Sequence, residues 1–289
     1  MRRMRFTLSA LLVAALVVPA FAAPARASDS PPGHGEAPPP ADAPLAHTHA
    51  HNDYQHDHPL FDALAHRFAS VEADIWLSAD GELLVGHDKD TLQHGRTLEA
   101  LYLDPLLALV RRNGGHVYAA SNAPLQLLID VKNTGTAPYK ALDERLRTRY
   151  AAMMTHWTDG IETPGAVTAV ISGDRDRAYM AAQRTRYAAY DGRLTDLGDG
   201  TPASFMPLIS NSWSGVFKWK GTGQMPADER ATLRDIVARA HANGQQIRFW
   251  GTPDRSASQY ESVWREELDA GVDWLNTDEL QALESFLGG

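Results

Sequence analysis

The chain has 289 residues, a net charge of −9 and no cysteine. The missing thiols exclude disulfides and thiolate metal sites, so stability has to come from a hydrophobic core. The acidic balance argues against a nonspecific nucleic-acid or anionic-membrane binder, while leaving room for a local basic pocket around one phosphate.

Residues 1–27 read as a secretory signal peptide. Arg2, Arg3 and Arg5 form a basic n-region, an apolar run follows from Leu8 to Val18, and Pro19-Ala20-Phe21-Ala22 and Ala25-Arg26-Ala27 offer small-x-small cleavage sites. The run is short for a membrane span and no other segment approaches the length needed, so no transmembrane anchor is expected. The expected location is secreted, or periplasmic in a Gram-negative host. Residues 28–44, with Pro31-Pro32-Gly33 and Pro38-Pro39-Pro40, have the composition of a disordered Pro/Ala-rich linker. Residues 45–289 are then one folded domain of the size of a single α/β barrel. Nothing in the sequence sets the oligomeric state.

Within that domain strand-like and helix-like segments alternate. The strands expected are 45–52, 70–77, 125–132, 167–172, 187–193, 206–212, 246–251 and 272–277, with an extended return over 82–87 after the turn Ser78-Ala79-Asp80-Gly81. The helices expected are 59–68, 98–113, 139–157, 175–186, 227–242, 259–270 and 279–287, with Pro226, Gly244 and Gly271 at their ends. This order favours an α/β fold, a (β/α)8 TIM barrel, over an open doubly wound sheet.

On such a barrel, polar residues at the strand C-termini meet at one face. Glu72 and Asp74 sit two apart in an apolar strand and so share a face, where bare carboxylates are costly. With Asp130 they offer three oxygen ligands to one divalent cation, Ca²⁺ or Mg²⁺, since no His or Cys is needed among the ligands. Lys132 shares the face of Asp130 and is a candidate to contact a phosphate oxygen, although a plain Asp–Lys ion pair explains it as well. Nine of the twelve histidines lie between His34 and His94, and His34, His56, His58, His66 and His94 read as structural hydrogen-bonding residues. His51 and His87 stand apart because each borders the carboxylate strands, which suits an acid–base pair. Trp213 and Trp250, near the ends of strands six and seven, are read with even odds as pocket walls or core. Asn52 and Asp278 fall at the same face and are candidate substrate-binding residues.

His47, His49 and His51 alternate along the first strand and raise a rival, the His-x-His metal pair of amidohydrolase-like barrels. That chemistry needs further histidines at later strand ends, and His116, His156 and His241 read as loop or helix residues.

Taken in order, His51-Asn52, Glu72-x-Asp74, Asp80-Gly81, Val85-x-His87-Asp88, Asp130-x-Lys132 and Thr277-Asp278 resemble the motif series of the glycerophosphodiester phosphodiesterase and phosphatidylinositol phospholipase C-like superfamily. The wording Ala50-His51-Asn52-Asp53-Tyr54, followed by Pro59-Leu60-Phe61-Asp62-Ala63-Leu64, is most similar to its branch named for altered inheritance of mitochondria. The resemblance implies a metal-assisted phosphodiesterase in which His51 and His87 are the acid–base pair, Glu72, Asp74 and Asp130 the metal ligands and Lys132 the family's lysine. Asn52 departs from the Arg usual in glycerophosphodiesterases, and Asp130 replaces their usual Glu, as in the related sphingomyelinase D group. The function expected is a secreted phosphoric diester hydrolase acting on a small-molecule or lipid phosphodiester. The alternatives are an amidohydrolase-like metallohydrolase and a non-catalytic phosphate- or carbohydrate-binding barrel.

Overall fold

The computed structural model describes residues 42–288. The signal-peptide reading of 1–27, and the linker reading of 28–44 up to residue 41, lie outside the described residues. Eight strands build the central sheet: β1 (Leu45–Ala50), β2 (Phe68–Leu77), β3 (Leu125–Val131), β4 (Val167–Gly173), β5 (Ala189–Gly192), β6 (Leu208–Ser212), β7 (Gln246–Trp250) and β8 (Trp274–Thr277). Each pairs in parallel with the next, and β8 pairs in parallel with β1, Thr48 opposite Leu275 and Ala50 opposite Thr277. The sheet is thereby closed into the expected eight-stranded barrel.

Helices α1 (Phe61–Ala65), α2 (Asp104–Arg112), α3 (Thr136–Thr148), α4 (Arg177–Ala182), α5 (Ala227–Ala242), α6 (Ala257–Ala270) and α7 (Leu280–Phe286) follow their strands, except that β5 and β6 are joined through a short 3-10 turn, Leu194–Asp196. The extended return is a three-residue strand, Leu83–Val85, antiparallel to the end of β2.

The helix expected over 59–68 is shortened to Phe61–Ala65, Phe68 already starting β2, and two more are cut short for one reason. The pattern over 139–157 ends as a helix at Thr148, and that over 175–186 forms helix only from Arg177 to Ala182. The intervening residues His156–Thr158, Ile161–Thr163 and Thr185–Arg186 make a small antiparallel sheet. Asp159-Gly160, with φ of 53° and 81°, supplies the two-residue turn that hairpins prefer, and this overrides the helical reading of Trp157. Trp157 packs with Leu128, Val170, Ala189, Leu208 and Trp274, a cluster separate from the main core.

That cluster identifies the inward face of the barrel, because side chains alternate along a strand. Two residues beyond its members come Asp130, Ser172, Asp191, Ser210 and Asn276, all on the inward register. Odd-parity neighbours such as Ile209, Ile247 and Phe249 instead join the core between sheet and helices.

Parity corrects one expectation. Trp213 takes the face of Ile209, is fully buried, and packs against Phe217 and Phe249 at 4.4 and 5.7 Å between ring centroids. Its indole N–H donates to Trp219 O at 3.0 Å. It is a core residue, whereas Trp250, in phase with Gln246 and Arg248, is 40% exposed at the mouth. Trp213→Ala should therefore cost about 3–5 kcal/mol, measured by urea unfolding; a loss below about 1 kcal/mol would return Trp213 to the surface.

Candidate active site

β1 delivers two histidines to the barrel with opposite fates. His49 is fully buried, its Nδ1 2.7 Å from Ser70 Oγ and its Nε2 2.7 Å from Arg248 Nη1. Arginine can only donate, so Nε2 accepts, and Nδ1–H goes to the serine. Burial, with Arg248 beside it, pushes the His49 pKa down to about 4 and keeps the ring neutral.

His51, one turn of the pleat further, reaches the mouth. Its Nδ1–H donates to Asp278 Oδ1 at 2.9 Å, and Nε2 lies 4.0 Å from Glu72 Oε2. Burial opposes the charged ring, but the Asp278 hydrogen bond and the Glu72 and Asp278 charges outweigh it, and the pKa is raised. Asn52 follows in the left-handed region at φ 48°, a conformation Asn tolerates better than most residues, and its amide lies 2.9 Å from His51 Nδ1. Tyr54 Oη donates to Asp74 Oδ2 at 2.7 Å and lies 2.8 Å from Asn52 Oδ1, tying the β1 loop to β2.

β2 and β3 hold the carboxylates. Their register sets Glu72 opposite Leu128 and Asp74 opposite Asp130. Glu72, Asp74 and Asp130 present oxygens that all lie within 4.8 Å of one another. Lys132 Nζ sits 2.9 Å from Asp74 Oδ2 and 3.6 Å from Asp130 Oδ1. Burial works against the ammonium, but Asp130 and Asp74 outweigh it, so the lysine pKa is raised and it stays charged. The Asp130 side has room only for a glycine at position 173: a Cβ there would meet Asp130 Oδ1 at 2.1 Å, and Gly173 sits at φ 70°.

The sequence reading missed Arg248, the residue that makes Glu72 tolerable. Arg248 is 2% exposed on β7, and its Nη1 donates to Glu72 Oε2 at 3.1 Å and Asn276 Oδ1 at 3.2 Å as well as to His49. Burial alone would raise the Glu72 pKa, but the guanidinium leads the groups that hold it well below the usual carboxylate range. The signal was present, an arginine inside the apolar run Gln246-Ile247-Arg248-Phe249-Trp250, in phase with the inward face.

Two cations thus face three carboxylates. Repulsion remains: burial and then Glu72 raise the Asp74 pKa, and burial with Asp74 and Glu72 as neighbours pushes Asp130 up to about 6 despite Lys132. Asp74 Oδ1 is buried with no hydrogen-bond partner among the described residues. An orphaned oxygen among clustered carboxylates fits a hard divalent cation held by oxygen ligands.

The other predicted groups are placed as follows. His87 follows the return strand, whose end is pinned to β2 by Gly86 N–H donating to Asp74 O at 3.1 Å and by Trp76 Nε1–H donating to Gly86 O at 3.0 Å. Its ring is 57% exposed, with Asp88 Oδ1 3.1 Å from Nδ1, and it makes no direct bond to the carboxylates. Asp278 orients His51, and Trp250 stands at the rim. The alternating histidine array is broken: His47 has φ 65°, and its Nδ1 lies 3.1 Å from both Val272 O and Asp273 O.

Residues 41–191 match the AIM6-like phosphodiesterase domain, and residues 246–281 match the glycerophosphoryl diester phosphodiesterase family. Altered inheritance of mitochondria protein 6 of Eremothecium gossypii is 32% identical over 272 residues, covering 84% of this chain and 69% of that protein. The protein of the same name from Lachancea thermotolerans is 30% identical over 81% of this chain, which spans 63% of its length. Among solved structures, a chain of Silicibacter pomeroyi DSS-3, provisionally assigned as a glycerophosphoryl diester phosphodiesterase, shares the fold at a TM-score of 0.50 and 14% identity, covering 86% of this chain and 94% of that one.

The raised pKa of Asp130 makes a signed prediction. A carboxyl that ionises less readily in the folded state costs stability as pH rises from the ordinary carboxylate value to about 6, and the cost stays above it. In metal-free buffer at pH 7, Asp130→Asn should therefore be more stable than the parent, by roughly 1–3 kcal/mol. Added Ca²⁺ or Mg²⁺ should raise the melting temperature of the parent and do so far less in the variant. A parent indifferent to both ions would count against a cation among these carboxylates.

Proposed function

The chain belongs to the AIM6-like phosphodiesterase family, and from that premise we propose that it is a metal-dependent phosphoric diester hydrolase acting on glycerophosphodiesters or phospholipid head groups. The observation that carries this reading is the inward cluster of Glu72, Asp74, Asp130 and Lys132, with the Asp278-oriented His51 at its edge. A bound Ca²⁺ or Mg²⁺, held by Glu72, Asp74 and Asp130, would polarise the phosphoryl group and offset its negative charge. Lys132, kept charged by its two carboxylates, holds a non-bridging phosphate oxygen. His51, with its raised pKa and its proton directed from Nε2, protonates the leaving alkoxide. His87, at the solvent-facing end of the return strand, takes the proton of the attacking water or of a neighbouring substrate hydroxyl. In the second case a cyclic phosphate forms first.

Two further observations favour this over the alternatives. The histidines that an amidohydrolase-like pair would require are engaged elsewhere, His47 with backbone carbonyls and His49 with Ser70 and Arg248. A plain binding site would not need a histidine whose proton affinity is raised by a dedicated aspartate. Export is proposed from residues 1–27 alone. Among the described residues no helix is long and apolar enough to cross a membrane.

His51→Ala and His87→Ala should each lower kcat/KM on bis(p-nitrophenyl) phosphate by about 10²–10⁴-fold with unchanged circular dichroism; near-parental turnover of either variant would remove that histidine from the mechanism. Asp278→Asn strips His51 of the hydrogen bond that raises its pKa. Because His51 must be protonated, the basic limb of the pH–rate profile should move to lower pH in this variant. An unmoved limb would show that His51 is not the acid.

A further inference from the structure

Two residues past His51 the chain buries a carboxylate that the chemistry does not use. Asp53 opens the 3-10 turn Asp53–Gln55 and is fully buried. Its Oδ2 accepts the Leu60 N–H at 2.6 Å and the Tyr102 O–H at 2.8 Å. Its Oδ1 has no hydrogen-bond partner among the described residues. Burial pushes its pKa up to about 7, and the nearby charge of Asp62 adds to the push. At neutral pH and above such a group weakens the fold, because its two donors do not offset the loss of water around it.

What Asp53 holds is unusual backbone. Leu60 has φ 68°, an outlier for a bulky residue, and Asn52 at the other end of the segment has φ 48°. Residues in that region persist where surrounding bonds over-determine them, and they gather at functional sites. Tyr102 lies, fully buried, in the π-helical turn Glu99–Leu103, itself a rare conformation. Arg96, just before that turn, donates from Nη2 to Tyr54 O at 2.8 Å. Arg96 O in turn accepts the Val85 N–H at 2.8 Å. The loop after β1 and the stretch 85–102, which carries His87, are thus joined at Asp53 and at Tyr54.

His51 stands at the open end of this anchor. Its N–H donates to Thr277 O at 2.9 Å, and its ring meets Asp278. Asn52 alone separates it from Asp53 in the chain. We propose that Asp53 is a positioning residue for His51. By seating Leu60 and Tyr102 on one oxygen, its carboxylate fixes the path of residues 51–60, and with it the placement of the imidazole against Asp278 and the phosphate. The inference rests on the phosphodiesterase reading above and adds a residue that acts through its proton donor. A misplacement of about 1 Å in a catalytic group costs on the order of 10²-fold in rate. Placement therefore gives a function to a carboxylate that stability alone does not favour.

The test is a double-mutant cycle on kcat for bis(p-nitrophenyl) phosphate, with circular dichroism as the check on folding. Asp53→Ala should lower kcat about 10–100-fold, and cost less than about twofold further in a His51→Ala background. An unchanged kcat, or costs that multiply in the double variant, overturns the proposal, because a carboxylate that merely supports the fold weakens both backgrounds alike. Asp53→Asn, whose carbonyl oxygen accepts both bonds, should recover most of the loss; a variant no better than Asp53→Ala overturns the anchor. If Asp53→Ala does not fold, Tyr102→Phe takes its place in the cycle, since it deletes one donor and keeps the ring. A second readout is independent of turnover: the Nδ1–H proton resonance of His51 in a chain with isotope-labelled histidine, identified by its absence in His51→Ala. It should shift in Asp53→Ala and return in Asp53→Asn; a resonance unmoved in Asp53→Ala overturns the positioning role. If the parent is inert toward the ester while the resonance still shifts, the phosphodiesterase reading fails and the anchor stands.

Discussion

The contact between Arg248 and Glu72 governs the interior of this barrel. Three carboxylates pointing into one low-dielectric space cannot all be ionised without positive charge nearby, and breaking such a buried pair typically costs about 3–5 kcal/mol. Arg248 meets the deepest of the three from the opposite wall, and the same Nη1 binds His49. One guanidinium thus keeps a glutamate charged and adds to the burial that keeps a histidine neutral. Ser70, which takes the other His49 nitrogen, is itself held by Gln126 Nε2 at 2.9 Å, so the polar layer is satisfied across neighbouring strands.

Above this layer the arrangement changes character. Asp74 and Asp130 share one ammonium, Lys132, and both resist ionisation. The lower layer is settled by its own hydrogen bonds, and the upper one is left short of positive charge where a substrate phosphate and a hard cation would arrive together. This gradient, from satisfied to unsatisfied along the barrel axis, separates a structural floor from a mouth left short of positive charge.

Much of this was legible in the chain. Alternating strand and helix patterns identified the barrel, and the spacing of Glu72, Asp74, Asp130 and Lys132 along their strands carried the cluster, because a two-residue period fixes a shared face. What escaped reading depended on parity that only the folded barrel defines. Trp213 and Trp250 sit near equivalent strand ends, yet one faces the helices and the other the mouth, and the sequence offers no marker of which residue leaves the strand first. Arg248 was overlooked because one charge between Ile247 and Phe249 looks like a strand edge until its partner across the barrel is known. The hairpin around Asp159-Gly160 escaped because the helical pattern over 139–157 overran the start of its first strand, His156–Thr158.

His51 stands on the first strand and the aspartate that orients it on the segment after the last, across the seam where β8 meets β1. The His51–Asp278 pair therefore exists only where the two ends of the sheet meet. A chain still open at that seam would carry an unguided imidazole beside crowded acids. Fraying of the last strand would release Asp278 and part the pair while the other strands still held their register.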